Sequence, residues 1–170
     1  MPLSHIDPAR YETLLQEKVE KTRALFTPFD APPPDVVSSA PTGYRLRAEF
    51  RMWHDGDALD YVMYRRDDPR TPVPINAFPP ADPGIQALMP VLQSHLASSD
   101  NLRRKLFQVE FLATLSGQML VTLAYHRKLD ETWEAAISQL RDELAQDYPS
   151  LSFVGRSRKH KLVIGDDFVT

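Results

Sequence analysis

Residues 44–57 contain the side chains with the clearest capacity for chemistry, because three arginines and a tryptophan occur there at alternating positions. In a β-strand, successive side chains point to opposite faces. One set is apolar and suited to a core: Tyr44, Leu46, Ala48, Phe50 and Met52. The other set is Arg45, Arg47, Glu49, Arg51 and Trp53. Guanidinium groups bind phosphates and, like an indole, stack on nucleobases. The segment is therefore either an ordinary solvated strand face or a nucleic-acid-binding face.

The charge distribution of the chain is more informative than its total. The 170 residues are 42% hydrophobic and 25% charged with a net charge of −3, which is typical of one globular domain. This balance disfavours a protein that coats nucleic acid by bulk charge. Basic residues nevertheless gather at Arg45/Arg47/Arg51, Arg103/Arg104/Lys105, Arg127/Lys128 and Arg156/Arg158/Lys159/Lys161. A sheet that brings these clusters to one edge would create a basic groove.

No enzyme active site is recognisable in the residues themselves. The chain has no cysteine, which excludes disulfides, thiolate nucleophiles and cysteine-ligated metals from it. The histidines show no metal-site spacing, and no serine has a nucleophile-elbow context. No apolar run approaches the ~20 residues that span a bilayer, and the N-terminus lacks the apolar region of a signal peptide. The sequence predicts a cytoplasmic protein.

The N-terminal segment predicts one amphipathic helix followed by a stiff linker. Asp7 before Pro8 is a helix-start pattern, and apolar residues then recur at helical spacing. Pro28 and the Ala-Pro-Pro-Pro run at 31–34 end this helix. We expect a helix within residues 1–30, a proline-rich linker over 31–42 and an α+β body over 43–170.

The body alternates hairpins with helices. A hairpin turns at His54–Asp57 and returns near 59–65, and a short strand is possible around 73–75. A helix begins after Asp82-Pro83, with a kink expected at Pro90. A second hairpin pairs 105–115 with 119–126, a third helix starts at Asp130, and strands 153–156 and 161–164 end the pattern. This order predicts an α+β fold: a largely antiparallel sheet built from hairpins, three amphipathic helices and no Rossmann domain.

Phe107 has two interpretations. In a regular strand it shares its face with Val109 and Phe111, so alternation alone favours a core position. His126, at the end of its strand, could equally be a surface residue without a role.

Several segments resemble the N-terminal part of bacterial tRNA (uracil-5-)-methyltransferases. The longest is the 44–57 block. The others are Tyr11-Glu12 with Gln16-Glu-Lys-Val19, Arg104-Lys-Leu-Phe-Gln108, Ala124-Tyr-His-Arg-Lys-Leu-Asp130 and Gly155-Arg-Ser-Arg-Lys-His-Lys161. The match is collinear and covers essentially the whole chain.

The resemblance implies transfer of a methyl group from S-adenosyl-L-methionine to C5 of a uridine in the tRNA T-loop, which forms 5-methyluridine. In that family the nucleophilic cysteine, the proton-abstracting carboxylate and the cofactor site lie in a C-terminal Rossmann-like domain. Those groups are not in this sequence, so the chain is expected to be an RNA-substrate-binding portion without catalytic, cofactor or metal residues, inactive on its own. The expected partners are the tRNA T-arm and the missing catalytic domain, not DNA or a membrane.

The resemblance also assigns the binding residues. It implies T-loop contacts by Arg51, Phe107 and His126. Arg45, Arg47 and Trp53 are expected to be phosphate or supporting contacts. Charge alone nominates the cluster from Arg156 to Lys161 as phosphate contacts, with Arg158, Lys159 and Lys161 among the expected binding residues. Two alternatives stay open at this stage: a stand-alone RNA-binding module and a non-catalytic interaction domain.

Overall fold

A computed structural model describes residues 7–65 and 67–170. Residues 1–6 of the segment predicted to hold the N-terminal helix lie outside the described residues. The four α-helices of the described ranges are α1 (Tyr11–Phe26), α2 (Pro83–Ser98), α3 (Asp100–Arg103) and α4 (Glu131–Leu144), and short 3-10 helices at Pro8–Arg10 and Thr27–Phe29 flank α1. The strands there are β1 (Arg47–Asp55), β2 (Ala58–Tyr64), β3 (Pro72–Pro74), β4 (Leu106–Ala113), β5 (Met119–Tyr125), β6 (Leu151–Ser157) and β7 (His160–Ile164).

The strands form one seven-stranded sheet in the order β3-β2-β1-β4-β5-β6-β7. Every neighbouring pair is antiparallel except β5 and β6, which run parallel. A parallel pair needs a crossover connection, and α4 supplies it. The predicted α+β class and the largely antiparallel sheet are confirmed. The parallel pair and the short helix α3 were not predicted.

Helices α2 and α4 pack on one face of the sheet and enclose the core. Leu88 and Leu92 of α2 and Trp133 and Ile137 of α4 are fully buried there. Along β1, Ala48, Phe50 and Met52 are buried while the residues between them are exposed, as the alternation predicts. The opposite face of the central strands therefore presents the polar set of β1 at an accessible surface.

Both core helices begin at the aspartates that the sequence nominates. The Asp82 carboxylate accepts a hydrogen bond from the Gly84 N–H at 2.8 Å, and Asp130 accepts one from the Trp133 N–H at 3.1 Å. Such caps satisfy N–H groups that have no partner within the helix. Helix α2 continues through Pro90 to Ser98.

Helix α1 forms where predicted, but its apolar stripe is not part of the core. No residue of α1 is buried; Leu25 is 68% exposed, and Phe29, just beyond the helix, is 75% exposed. Tyr11 joins the helix to the segment that follows it, because its phenol oxygen accepts a hydrogen bond from the Ser39 N–H at 2.8 Å. Over the described ranges, no helix is both long enough and apolar enough to cross a membrane.

Candidate nucleic-acid interface

A β-bulge at the start of β4 decides the position of Phe107. The pairing with β5 steps from Leu106–Tyr125 directly to Gln108–Ala124, so Phe107 is an extra residue without a partner opposite it. The bulge places Phe107 and Gln108 both half-exposed, whereas Val109 and Phe111 are buried. The core interpretation that regular alternation favoured is therefore wrong, because the alternation is broken at this residue.

Phe107 stacks on His126 and lies near Arg51 at the accessible face of the sheet. Its ring lies parallel to the His126 imidazole, with 3.9 Å between the centroids and 11° between the planes. The Arg51 guanidinium carbon is 5.4 Å from the Phe107 centroid, within cation–π range. Strand pairing explains the convergence, because Arg51 lies opposite Gln108 and His126 directly follows β5. The structure thus brings together Arg51, Phe107 and His126.

His54 supports the bulge from β1. Its Nε2 atom lies 2.7 Å from the Leu106 carbonyl oxygen. A carbonyl oxygen only accepts, so Nε2 must carry the proton and donate it. The contact satisfies a polar group at the point where β1–β4 pairing ends. No local pattern in the sequence predicts this contact of His54, because it depends on the bulge in β4.

A groove of about 520 Å³ extends from the stack towards β6. Its lining includes Phe107, Ala124, His126, Arg156 and Arg158. Arg156 reaches this surface because it pairs with Ala124 across the parallel β5–β6 contact. The sequence nominated Arg156 only by its charge within the 156–161 cluster. Its place beside the stack was not predicted, since the β5–β6 contact joins segments on either side of α4 and cannot be read from local patterns. A second depression of about 260 Å³ adjoins the groove and includes Lys128 in its lining.

Arg47 is occupied by acidic partners. Its guanidinium donates to Glu110 at 2.6 Å and to Glu49 at 3.2 Å. The two glutamates lie directly opposite each other on β1 and β4, an arrangement that is unfavourable without a cation between them. The hydrogen bond to Glu110 raises the pKa of the Arg47 guanidinium above its ordinary value. Arg47 therefore neutralises a glutamate pair, whereas its assignment as an RNA contact stays a prediction.

The remaining nominated residues fall in different places. Trp53 is 43% exposed on the same face as Arg51, at the hairpin end of β1, and no described contact joins it to the stack. Lys161 lies on the edge strand β7, where its ammonium contacts Asp167 at 2.6 Å. Arg158 and Lys159 form the exposed turn between β6 and β7, and Arg158 adopts a left-handed backbone with φ of 52°.

Several cations of the basic clusters have no acidic partner in the described part of the chain. Within residues 7–65 and 67–170, no acidic side chain lies within ion-pair distance of these residues: Arg51, Lys105, Lys128, Arg156, Arg158 and Lys159. Their charges remain available to an anionic ligand. Stacked rings beside unpaired cations can hold nucleobases and phosphates. In the same described ranges, no three histidine or carboxylate side chains form a metal-binding group.

Comparison with known proteins gives a consistent result. The family model described as tRNA (Uracil-5-)-methyltransferase matches residues 10–170. A protein of Aromatoleum aromaticum named tRNA/tmRNA (uracil-C(5))-methyltransferase is 51% identical over 99% of this chain. Proteins of the same name from Azoarcus sp. and Pseudoalteromonas translucida are 48% and 42% identical over 99% and 100% of this chain.

These relatives are about twice as long as the chain. The matched region covers 45%, 45% and 46% of the three proteins. The chain thus spans about half the length of the curated relatives that it matches.

Proposed function

Because the chain belongs to the tRNA (uracil-5-)-methyltransferase family, we propose that it is the part of such an enzyme that binds the tRNA substrate. The observation that carries the proposal is the stack of Arg51, Phe107 and His126 beside unpaired cations. Bases in RNA loops can leave their own stack and pack against aromatic rings or guanidinium planes. A half-exposed phenylalanine fixed by a histidine on one side supplies such a platform.

The target uridine lies in the T-loop of tRNA, and the methyl donor is S-adenosyl-L-methionine bound by a separate catalytic domain. Chemistry at C5 requires the uracil to be exposed from the RNA stack, and unstacking costs a few kcal/mol. The aromatic platform offsets that cost by stacking with bases that have left their usual positions. The unpaired cations of the groove, Arg156 and Arg158, contact phosphates of the same loop.

A titration with a T-arm RNA hairpin tests this function. Replacing Arg51 or Phe107 by alanine should weaken binding by about 1–3 kcal/mol each, the range for one base stacked on a protein side chain. Arg70→Ala and Phe168→Ala are matched controls, because both residues are exposed. Arg70 precedes the edge strand β3, and Phe168 is close in sequence to Thr170, which binds Gln118 at the end of β5 opposite to His126. Circular dichroism confirms that each variant is folded.

The salt dependence of the same titration separates the alternatives. Binding through phosphates weakens linearly on a log–log plot as salt rises. Absence of binding even at low salt would instead favour a non-catalytic interaction domain. Equal affinities of the Arg51 and Phe107 variants and the wild type would remove the stack from the interface.

A methyl-incorporation assay tests whether this chain binds RNA without catalysing methyl transfer. We expect no methyl transfer from labelled S-adenosyl-L-methionine to T-arm RNA by this chain alone. Incorporation above background would show that the chain contains catalytic residues that its sequence does not reveal.

A further inference from the structure

Arg127 belongs to a basic cluster in the sequence, yet in the fold its side chain is only 12% exposed. Its Nη2 donates to the Asn101 carbonyl at 2.6 Å and its Nε donates to the Arg104 carbonyl at 3.1 Å. The guanidinium carbon lies 5.5 Å from the Tyr125 ring centroid, and the Asp130 carboxylate is 3.7 Å away. The cation is therefore committed to the protein and not presented to a ligand.

The carbonyls that Arg127 binds belong to the segment that leads into Phe107. They lie at the end of α3, where carbonyl oxygens have no partner within the helix. Two neighbours of Arg127 bind the same segment. The Tyr125 hydroxyl donates to the Leu102 carbonyl at 2.8 Å, and the His126 N–H donates to the Lys105 carbonyl at 2.9 Å. Three consecutive residues at the end of β5 thus hold four carbonyls of 101–105.

This segment needs to be held because its last residue is strained. Lys105 has φ of 61°, a left-handed conformation that costs a residue with a side chain roughly 1–2 kcal/mol. The turn at Lys105 directs the chain from α3 into β4, and Phe107 follows two residues later in the bulge. The position of residues 101–105 therefore determines the position of the Phe107 ring.

We propose that Arg127 is a positioning residue, which fixes residues 101–105 and thereby holds Phe107 against His126 in the geometry that accepts an RNA base. The proposal rests on the RNA-binding function proposed above and specifies how that site is kept in place. A lysine cannot replace Arg127, because one ammonium does not reproduce a planar fork that reaches carbonyls at two positions. Arg127 itself makes no phosphate contact.

Two variants and two measurements test the proposal. In Arg127→Ala and Arg127→Lys, we expect the affinity for the T-arm hairpin to weaken about tenfold. This is part of the loss in affinity that follows when the stacking of one base is removed completely. The slope of log affinity against log salt stays as in the wild type, because no phosphate contact is removed. Arg70→Ala is the control for binding, because its exposed side chain lies at the far edge of the sheet, before β3. Lys128→Ala is the control for the structural readout below only: its side chain is exposed, and its backbone carbonyl, which accepts from Arg127, is retained.

Nuclear magnetic resonance gives a readout that does not depend on RNA. The Phe107 ring current shifts the imidazole protons of His126, and Phe107→Ala provides the unstacked reference. In both Arg127 variants, the chemical shifts of these protons should move towards the values in Phe107→Ala, whereas in Lys128→Ala they stay unchanged. The lysine variant keeps the charge and most of the volume, so it decides the question if the alanine variant does not fold.

The outcomes separate this proposal from the proposed function. Unchanged His126 protons in Arg127→Lys would overturn the positioning role. A second result would also overturn it: Arg127→Lys binds with wild-type affinity, and the salt slope of Arg127→Ala falls by about 0.7–0.9. That combination identifies Arg127 as a phosphate contact. A wild-type chain that does not bind the hairpin would refute the RNA-binding function, while the proton shifts would still decide whether Arg127 positions Phe107.

Discussion

Replacing Gly155 by alanine should destabilise the strand that carries Arg156 into the groove. Gly155 lies in β6 between Leu123 of β5 and Leu162 of β7. A Cβ atom added there would lie 2.3 Å from Trp133 Cη2 and 2.6 Å from a Leu129 methyl carbon. Carbon atoms pack at about 3.5–4.0 Å, so the strand and the indole must separate by roughly 1 Å or more. Trp133 is fully buried and cannot swing aside.

The magnitude follows from the cost of overpacking. Extra atoms in a well-packed core usually cost about 1–3 kcal/mol. We expect about 3 kcal/mol for Gly155→Ala, because the nearest atoms belong to a buried ring, and a melting temperature lower by roughly 6–12 °C. Urea denaturation followed by circular dichroism measures the change in the free energy of unfolding.

A double-mutant cycle with Trp133→Phe tests the cause. Phenylalanine lacks the indole atoms that the new methyl group meets, so Gly155→Ala should cost at least about 1 kcal/mol less in the Trp133→Phe background. A cost below about 1 kcal/mol in the wild-type background, or equal costs in both backgrounds, would refute the steric explanation.

Three further predictions follow from charges and exposure. The hydrogen bond from Thr132 lowers the pKa of Asp130 below its ordinary value. The ionised Asp130 therefore stabilises the fold above its unfolded-state pKa, and this contribution is lost as pH falls. The difference in melting temperature between wild type and Asp130→Asn should shrink from about pH 7 to about pH 3, and an equal difference at both pH values would contradict this. Leu25→Ser with Phe29→Ser should change the free energy of unfolding of this chain by less than about 0.5 kcal/mol in urea denaturation, because both side chains are exposed; a larger loss would show that they pack in solution. Arg158→Ala should reduce the salt slope of T-arm binding by about 0.7–0.9. Arg47→Ala should reduce it less, because the charge of Arg47 is paired with Glu110. Equal reductions would mean that the ion pair opens on binding.

Local patterns predicted the elements that depend on neighbouring residues. The caps at Asp82 and Asp130 and the alternation of Ala48, Phe50 and Met52 follow from chemistry within a few residues. The hairpin turn predicted at 54–57 also forms, but it is limited to residues 56–57, because β1 extends to Asp55. Helix α1 was also located correctly, but its exposure could not be predicted, because an apolar stripe does not specify what covers it. The same stripe is compatible with a core and with an exposed face.

Long-range pairing determined the features that were not predicted. Phe107 follows the pattern of a core residue until the bulge displaces it, and the bulge depends on β5 and on His54. Arg47 is neutralised by Glu110, which is distant in sequence, and Arg127 turns inward to carbonyls of 101 and 104. A charged residue therefore has the same sequence pattern whether it faces a ligand or supports the fold. For Phe107, the family resemblance favoured the accessible face where alternation favoured the core.

Photo-crosslinking tests the RNA-binding stack most directly. A T-arm hairpin with 5-iodouridine in its loop is irradiated with the chain, and the crosslinked residue is located by mass spectrometry. An exposed loop base that stacks on the platform should crosslink to Phe107 or His126, and Phe107→Ala should abolish the crosslink to that segment. Saturable crosslinking to the helical side of the sheet, at α2 or α4, would contradict the assignment of the RNA-binding face.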